Sequence, residues 1–155
     1  MAGFWQDWQR ISADKASGYP HFGFGGWMWA FYIFAILRIL LALRNIFGNE
    51  TALGQMYELS NVGAIRILLV MRILLLVPFL VLAPLRHSSM PYVTIACAWA
   101  IALLAFLFGL IVSLPQDRLI SVSLLEIVIA VGYTVYLLRS KRVNVTYLSL
   151  VPAKA

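Results

Sequence analysis

Charged side chains make up only 12% of this 155-residue chain, and just six residues are acids. A soluble domain carries about 25% charged residues. So few charges could not cover a folded surface in water, which excludes an ordinary cytosolic enzyme. Apolar content is too high for a disordered chain. Cysteine is almost missing too, with Cys97 the single thiol. It cannot close an internal disulfide, and no zinc-type spacing exists. Inside an apolar run it reads as a small packed hydrophobe. Histidine occurs twice, His21 in a glycine-rich stretch and His87 beside Arg86. Neither has a second histidine at ligand spacing or lies within an apolar run, so no haem or metal ligand is expected. No Ser-His-acid set, CxxC, phosphate-binding loop or carboxylate pair occurs. The sequence therefore offers no catalytic residue, cofactor site or metal site, and reads as non-enzymatic.

Apolar residues are abundant, at 63%. They gather in four runs, 25–47, 64–85, 92–114 and 119–138. Each has about 20 residues, enough to cross a hydrocarbon core of about 30 Å as a helix. Backbone polar groups cannot face lipid unpaired, and the alternating strands of a barrel are absent. The expected fold is all-α, a polytopic membrane protein with four transmembrane helices in one antiparallel bundle. The last two runs are separated only by Pro115, Gln116, Asp117 and Arg118, so those helices should be antiparallel neighbours. Pro78 should bend the second helix. Ala98, Ala102, Ala105 and Gly109 form a small-residue row on the third, suited to close helix approach within the chain or with a partner.

Residues 1–24 precede the first run. Asp7, Arg10, Asp14 and Lys15 argue against a cleavable leader there. Phe4, Trp5, Trp8 and Ile11 share one helical face, which predicts a short interfacial helix. Trp5, Trp8, Trp27 and Trp29 are expected at headgroup depth, with Arg44 and Arg66 anchoring the opposite boundary. Residues 139–155 read as a basic tail.

The formal net charge is +6. The basic residues lie beside apolar runs and not in a polar domain, so anionic lipid headgroups, not nucleic acid, are the expected partner. Arg10, Lys15, Arg86, Arg139, Lys141, Arg142 and Lys154 fall on the side of the termini, against Arg44, Arg66 and Arg118 on the other. This excess predicts cytoplasmic termini.

Gly25-Gly26-Trp27 opens the first run, and Ser140-Lys141-Arg142-Val143 followed by Thr146 and Tyr147 closes the last. These motifs and the four runs between them resemble the bacterial domain-of-unknown-function family 2569. Asn144 stands where that family more often has a lysine, and Tyr147 where it often has phenylalanine. The resemblance implies a multi-pass protein of the bacterial inner membrane. It implies no activity and no catalytic residue.

Three charges lie well inside the runs: Arg38, Arg72 and Glu126. Measured from the end opposite the termini, each sits about 10–14 Å deep. Charges in a span usually pair, face the bundle interior or mark a ligand path. Glu126 is expected to contact Arg38 or Arg72. One reading of this layer is a clasp that fixes helix order. The other is an anion, lipid or proton site open to the outer side. At the level of function the leading expectation is an accessory or structural subunit of a larger inner-membrane complex, with a membrane-protein partner or a second copy of the chain. The alternative is a small transporter or lipid/anion-binding protein using the charged layer. A cavity or broken helix at that depth would favour the alternative.

Overall fold

The computed structural model describes residues 8–19, 21–23, 25–48, 62–111 and 116–152. A strand β1 (Trp8–Arg10) and a short helix α1 (Ala13–Ser17) lead into four long helices. These are α2 (Trp27–Phe47), α3 (Val62–Leu82), α4 (Met90–Ile111) and α5 (Gln116–Arg139). A helix α6 (Lys141–Leu148) and a strand β2 (Leu150–Pro152) follow. The long helices have 21 to 24 residues. At 1.5 Å per residue that is about 31–36 Å, the thickness of a hydrocarbon core. All four are long and apolar enough to cross a membrane. The protein is an all-α polytopic helical bundle.

Leucine, isoleucine and valine cover its outside. Leu37, Leu40 and Leu41 of α2, Ile67 and Leu74 of α3, Leu103 of α4, and Leu124, Leu125 and Val128 of α5 are all exposed. In water such a surface would drive aggregation, whereas in lipid it is the matched solvent. The helices pack in sequence order, α2 on α3, α3 on α4 and α4 on α5. Ala102 and Ala105 are buried, as is Gly109. The small-residue row is therefore consumed inside the bundle and does not form an outward docking face. Trp99 Nε1 donates to Thr134 Oγ1 at 3.1 Å, tying α4 to α5. Pro78 lies within α3, which continues to Leu82.

Side chains carry much of the contact between α2 and α5. The Phe31 ring lies 4.7 Å from that of Tyr133 and 4.8 Å from that of Tyr136. Phe79 of α3 meets Tyr133 at 5.9 Å and Tyr32 at 6.1 Å. This aromatic knot belongs to the main core, with Met28, Ala83, Met90, Leu137, Val143 and Tyr147 beneath it. A smaller cluster of Ala42, Ile65 and Leu69 joins α2 to α3 at the opposite end.

The end bearing the termini differs from expectation. Trp8–Arg10 is extended, not helical, and pairs antiparallel with Leu150–Pro152. Helix comes later, at Ala13–Ser17. The expected helical face is thus broken at residue 8, because the backbone groups of 8–10 find a partner strand in place of an intrahelical ladder. Trp5 and the rest of 1–7 lie outside the described residues, as do the loop 49–61 and Lys154. The stretch read as a basic tail is structured from 141 to 152, as α6 and β2. Val143, Asn144, Val145, Thr146 and Tyr147 are all buried, Arg142 is half-buried, and Lys141 stays at the surface of α6. Val145 packs with Ala16, Ile11, Tyr19 and Phe22 of the N-terminal segment.

Tyr147 closes this cap. Its hydroxyl donates to the Ala83 carbonyl at 2.7 Å. Burial pushes its phenol up to about 12 from the ordinary 10; nearby Arg86 opposes the shift and Tyr136 adds to it. The folded state therefore holds this proton more tightly than the unfolded chain. The stability linked to it is complete below pH 10 and drains away as pH rises toward 12. In detergent, thermal unfolding should show that alkaline loss in the native protein and a shallower one in Tyr147→Phe. At neutral pH the variant should lose about 1 kcal/mol with the hydrogen bond.

Candidate functional site

Arg38, Arg72 and Glu126 come from three helices and meet. Arg38 Nη2 donates to both Glu126 carboxylate oxygens, at 2.6 Å and 2.7 Å. Arg72 Nη2 also donates to Glu126 Oε1. Glu126 is 4% exposed, and both guanidinium side chains are largely covered. Glu126 accordingly touches both arginines, where the sequence required only one.

The layer lies deeper than expected. Arg38 is eleven residues from the start of α2 and nine from its end. Arg72 is ten from either end of α3. Glu126 is ten from the start of α5. All three sit near mid-span, about 15 Å from the helix ends. The difference arises because α3 and α5 begin at Val62 and Gln116, before their most apolar stretches. At mid-span a long side chain has the farthest to reach for headgroups, so snorkelling gives least relief and pairing gives most. Arg38 also lies over the Phe34 ring, 5.7 Å from its centroid, which shields its lipid-facing side.

A small cavity of about 20 Å³, room for about one water molecule, adjoins the layer. Its walls include Arg38, Glu126, Leu75, Phe79, Ile101 and Ile129, and Thr94, Cys97 and Tyr133 contribute polar atoms. Thr94 lies four residues into α4, and Tyr133 six from the end of α5, both on the half bearing the termini. The cavity therefore extends from the charged layer toward the termini, not toward the outer side as expected. Nη1 and Nε of Arg38 have no hydrogen-bond partner among the described residues. Thr94 is 4% exposed, and its hydroxyl also lacks a partner. Cys97 lines this wall as well, a packing position that sequence reasoning already suggested for it.

The other sequence-selected residues fall elsewhere. Trp27 and Trp29 are exposed at the start of α2. Arg44 is exposed in its last turn, and Arg66 is half-buried in α3. Trp8 lies in β1. The two family-like motifs, far apart in sequence, adjoin each other. Ser140 caps α6 by accepting from Val143 N at 3.4 Å. Thr146 Oγ1 accepts from Gly23 N at 2.9 Å. Arg142 lies against Gly25 and Gly26, where a Cβ on Gly25 would stand 3.0 Å from its Nη1. Gly26 has φ +60°, a conformation costly for any other residue. Asn144 is buried and its Nδ2 donates to the Leu138 carbonyl, 3.4 Å away. Ser140, Arg142, Thr146, Gly25 and Gly26 thus have structural tasks in the cap. This pairing was missed because nothing in either motif names the other; glycines beside an arginine that needs flat backbone to lie on were the available signal.

Comparison with protein-family models, with curated proteins and with solved structures found no match.

Removing one partner from a buried charge pair typically costs about 3–5 kcal/mol, because the other charge is stranded. Glu126→Gln should destabilise the bundle by that order in reversible detergent unfolding. Adding Arg38→Met to it should restore part of the loss. Strict additivity of the two changes would show that the pair is not coupled.

Proposed function

We propose that this protein binds an anion inside the membrane, with the Arg38–Arg72–Glu126 layer as its charged floor. The observation that supports this most is the position of Arg38. It is bonded to Glu126 through one nitrogen, lines a cavity, and has two further nitrogens without hydrogen-bond partners among the described residues. Arg38 is a permanent cation near mid-span, the costliest depth for a charge. A small anion on its remaining nitrogens would add to the compensation that Glu126 gives it. Among the described residues no metal-ligand cluster is found, and the sequence holds no catalytic set, so the reading is a binding or transport protein.

The setting belongs to the same proposal. The resemblance to domain-of-unknown-function family 2569 supports a bacterial inner membrane as its setting. The excess of Lys and Arg beside the termini supports a cytoplasmic position for both. The cavity then faces the cytoplasmic half. An accessory role in a larger complex is the weaker reading, because the small-residue row that suited docking is buried within the chain.

Purification of the native protein in mild detergent, followed by native mass spectrometry, tests the proposal. The expected result is a retained anion or anionic lipid that is lost in Arg38→Gln. A stoichiometric large protein partner, with no anion retained, would favour the accessory reading. A reporter fused after Ala155 that is active only in the cytoplasm should be active, and silence there would reverse the orientation.

A further inference from the structure

We infer that the end bearing the termini carries a seat for the headgroup of an anionic phospholipid, built by Arg142 and Arg86 beside the start of α2. The inference is independent of the anion reading at Arg38, which lies near mid-span.

Depth sets the first limit. α2 starts at Trp27, α3 stops at Leu82 and α5 stops at Arg139. Arg86 therefore lies four residues past the end of one span and Arg142 three past the end of another. Trp27, 74% exposed, Trp29 and Tyr92 stand open at the same end of the bundle. Exposed aromatic rings at span ends belong to the headgroup layer of a bilayer. The two arginines thus lie at the depth of lipid phosphates.

Geometry sets the second. Arg142 lies along Gly25 and Gly26, close enough that a Cβ on Gly25 would stand 3.0 Å from its Nη1. Arg86 lies over the Phe22 ring, 5.3 Å from its centroid. Phe22 packs with Val145 of α6, the short helix that carries Arg142. Both guanidinium groups therefore border the same few residues before α2. Neither makes a hydrogen bond or ion pair among the described residues. Their N–H groups stay available for an acceptor, and a guanidinium fork matches two phosphate oxygens.

The backbone at Arg86 is the third, independent observation. His87 N donates to the Leu82 carbonyl and Arg86 N to the Ala83 carbonyl, each at 3.3 Å. This is the bond pattern of a helix that ends on a left-handed residue, a place usually filled by glycine. Arg86 fills it at φ +54°, a conformation that glycine adopts without steric cost. The turn itself needs no side chain there, and the one present is a cation facing the seat.

Charge decides the occupant. Arg10, Lys15 and Lys141 are exposed at this end, and Asp14 is its one acid among the described residues. The surroundings therefore attract an anion and offer the arginines no carboxylate in its place. A lipid is already confined to this layer, and its chains can lie on the exposed Trp29 and Ile33 of α2. Free phosphate gains the charge alone.

The test is native mass spectrometry of the full chain in a mild nonionic detergent, titrated with phosphatidylglycerol or with phosphatidylcholine of the same chains. Phosphatidylglycerol should bind about fivefold or more tightly, since the choline ammonium cancels the phosphate charge. Arg142→Gln and Arg86→Gln should each weaken phosphatidylglycerol by about fivefold and leave phosphatidylcholine unchanged. Arg86→Gly should do the same while its helical circular dichroism is kept, because glycine suits that backbone. Arg44→Gln, exposed at the opposite end of α2, should change neither lipid. Equal binding of the two lipids, or an equal loss in Arg44→Gln, would overturn the seat. Inorganic phosphate that displaces phosphatidylglycerol at equal concentration would overturn the lipid as its occupant.

Discussion

One carboxylate shared by two guanidinium groups at mid-span is the constraint on which the bundle turns. Helices in lipid gain nothing from hiding apolar surface, because lipid tails are as apolar as leucine. What fixes their order must come from packing and from polar groups with no other outlet. Glu126 is such a group. It is buried on α5 and reaches Arg38 of α2 and Arg72 of α3 together. Since α2 and α5 are the ends of the packing order, this contact closes the row of helices into a bundle. The aromatic knot of Phe31, Phe79 and Tyr133 completes the same closure nearer the termini.

A second closure acts at the end bearing the termini. β1 pairs with β2, and the Gly23–Thr146 hydrogen bonds join segments 123 positions apart. Tyr147 then fastens α6 to the α3–α4 turn at Ala83. The cavity lies between the two closures, with Arg38 and Glu126 at one end and the Phe79, Met90 and Tyr147 core beyond the other. A polar centre under a packed cap is the arrangement an occluded ligand site needs.

The bundle was readable in the sequence because long apolar runs leave a bilayer few alternatives. All four spans fall within a few residues of their expected limits. The charged layer was readable for a related reason. Arg38, Arg72 and Glu126 interrupt otherwise apolar stretches, and the cost of leaving any one unpaired draws them together. The cap was not readable. Three residues, Trp8-Gln9-Arg10, are too few to display a strand's alternation, and their partner lies at 150–152. Lys141 and Arg142 gave α6 the look of a solvated tail, although its next five residues are buried. Helix starts at Val62 and Gln116 also moved the layer to mid-span, since Gly63 and the polar turn Gln116-Asp117-Arg118 kept those first turns out of the apolar runs. The cavity follows from packing on four helices at once, which no single stretch records.

The central claim is that Glu126 is held by both arginines inside a bilayer. Solid-state NMR in lipid bilayers tests it most directly, through dipolar couplings between the Glu126 carboxylate carbon and arginine guanidinium nitrogens. The account predicts couplings at hydrogen-bonding range to two guanidinium groups, and to one alone in Arg72→Met. Coupling to neither arginine in the native protein would contradict it and leave the bundle without the contact proposed to close it.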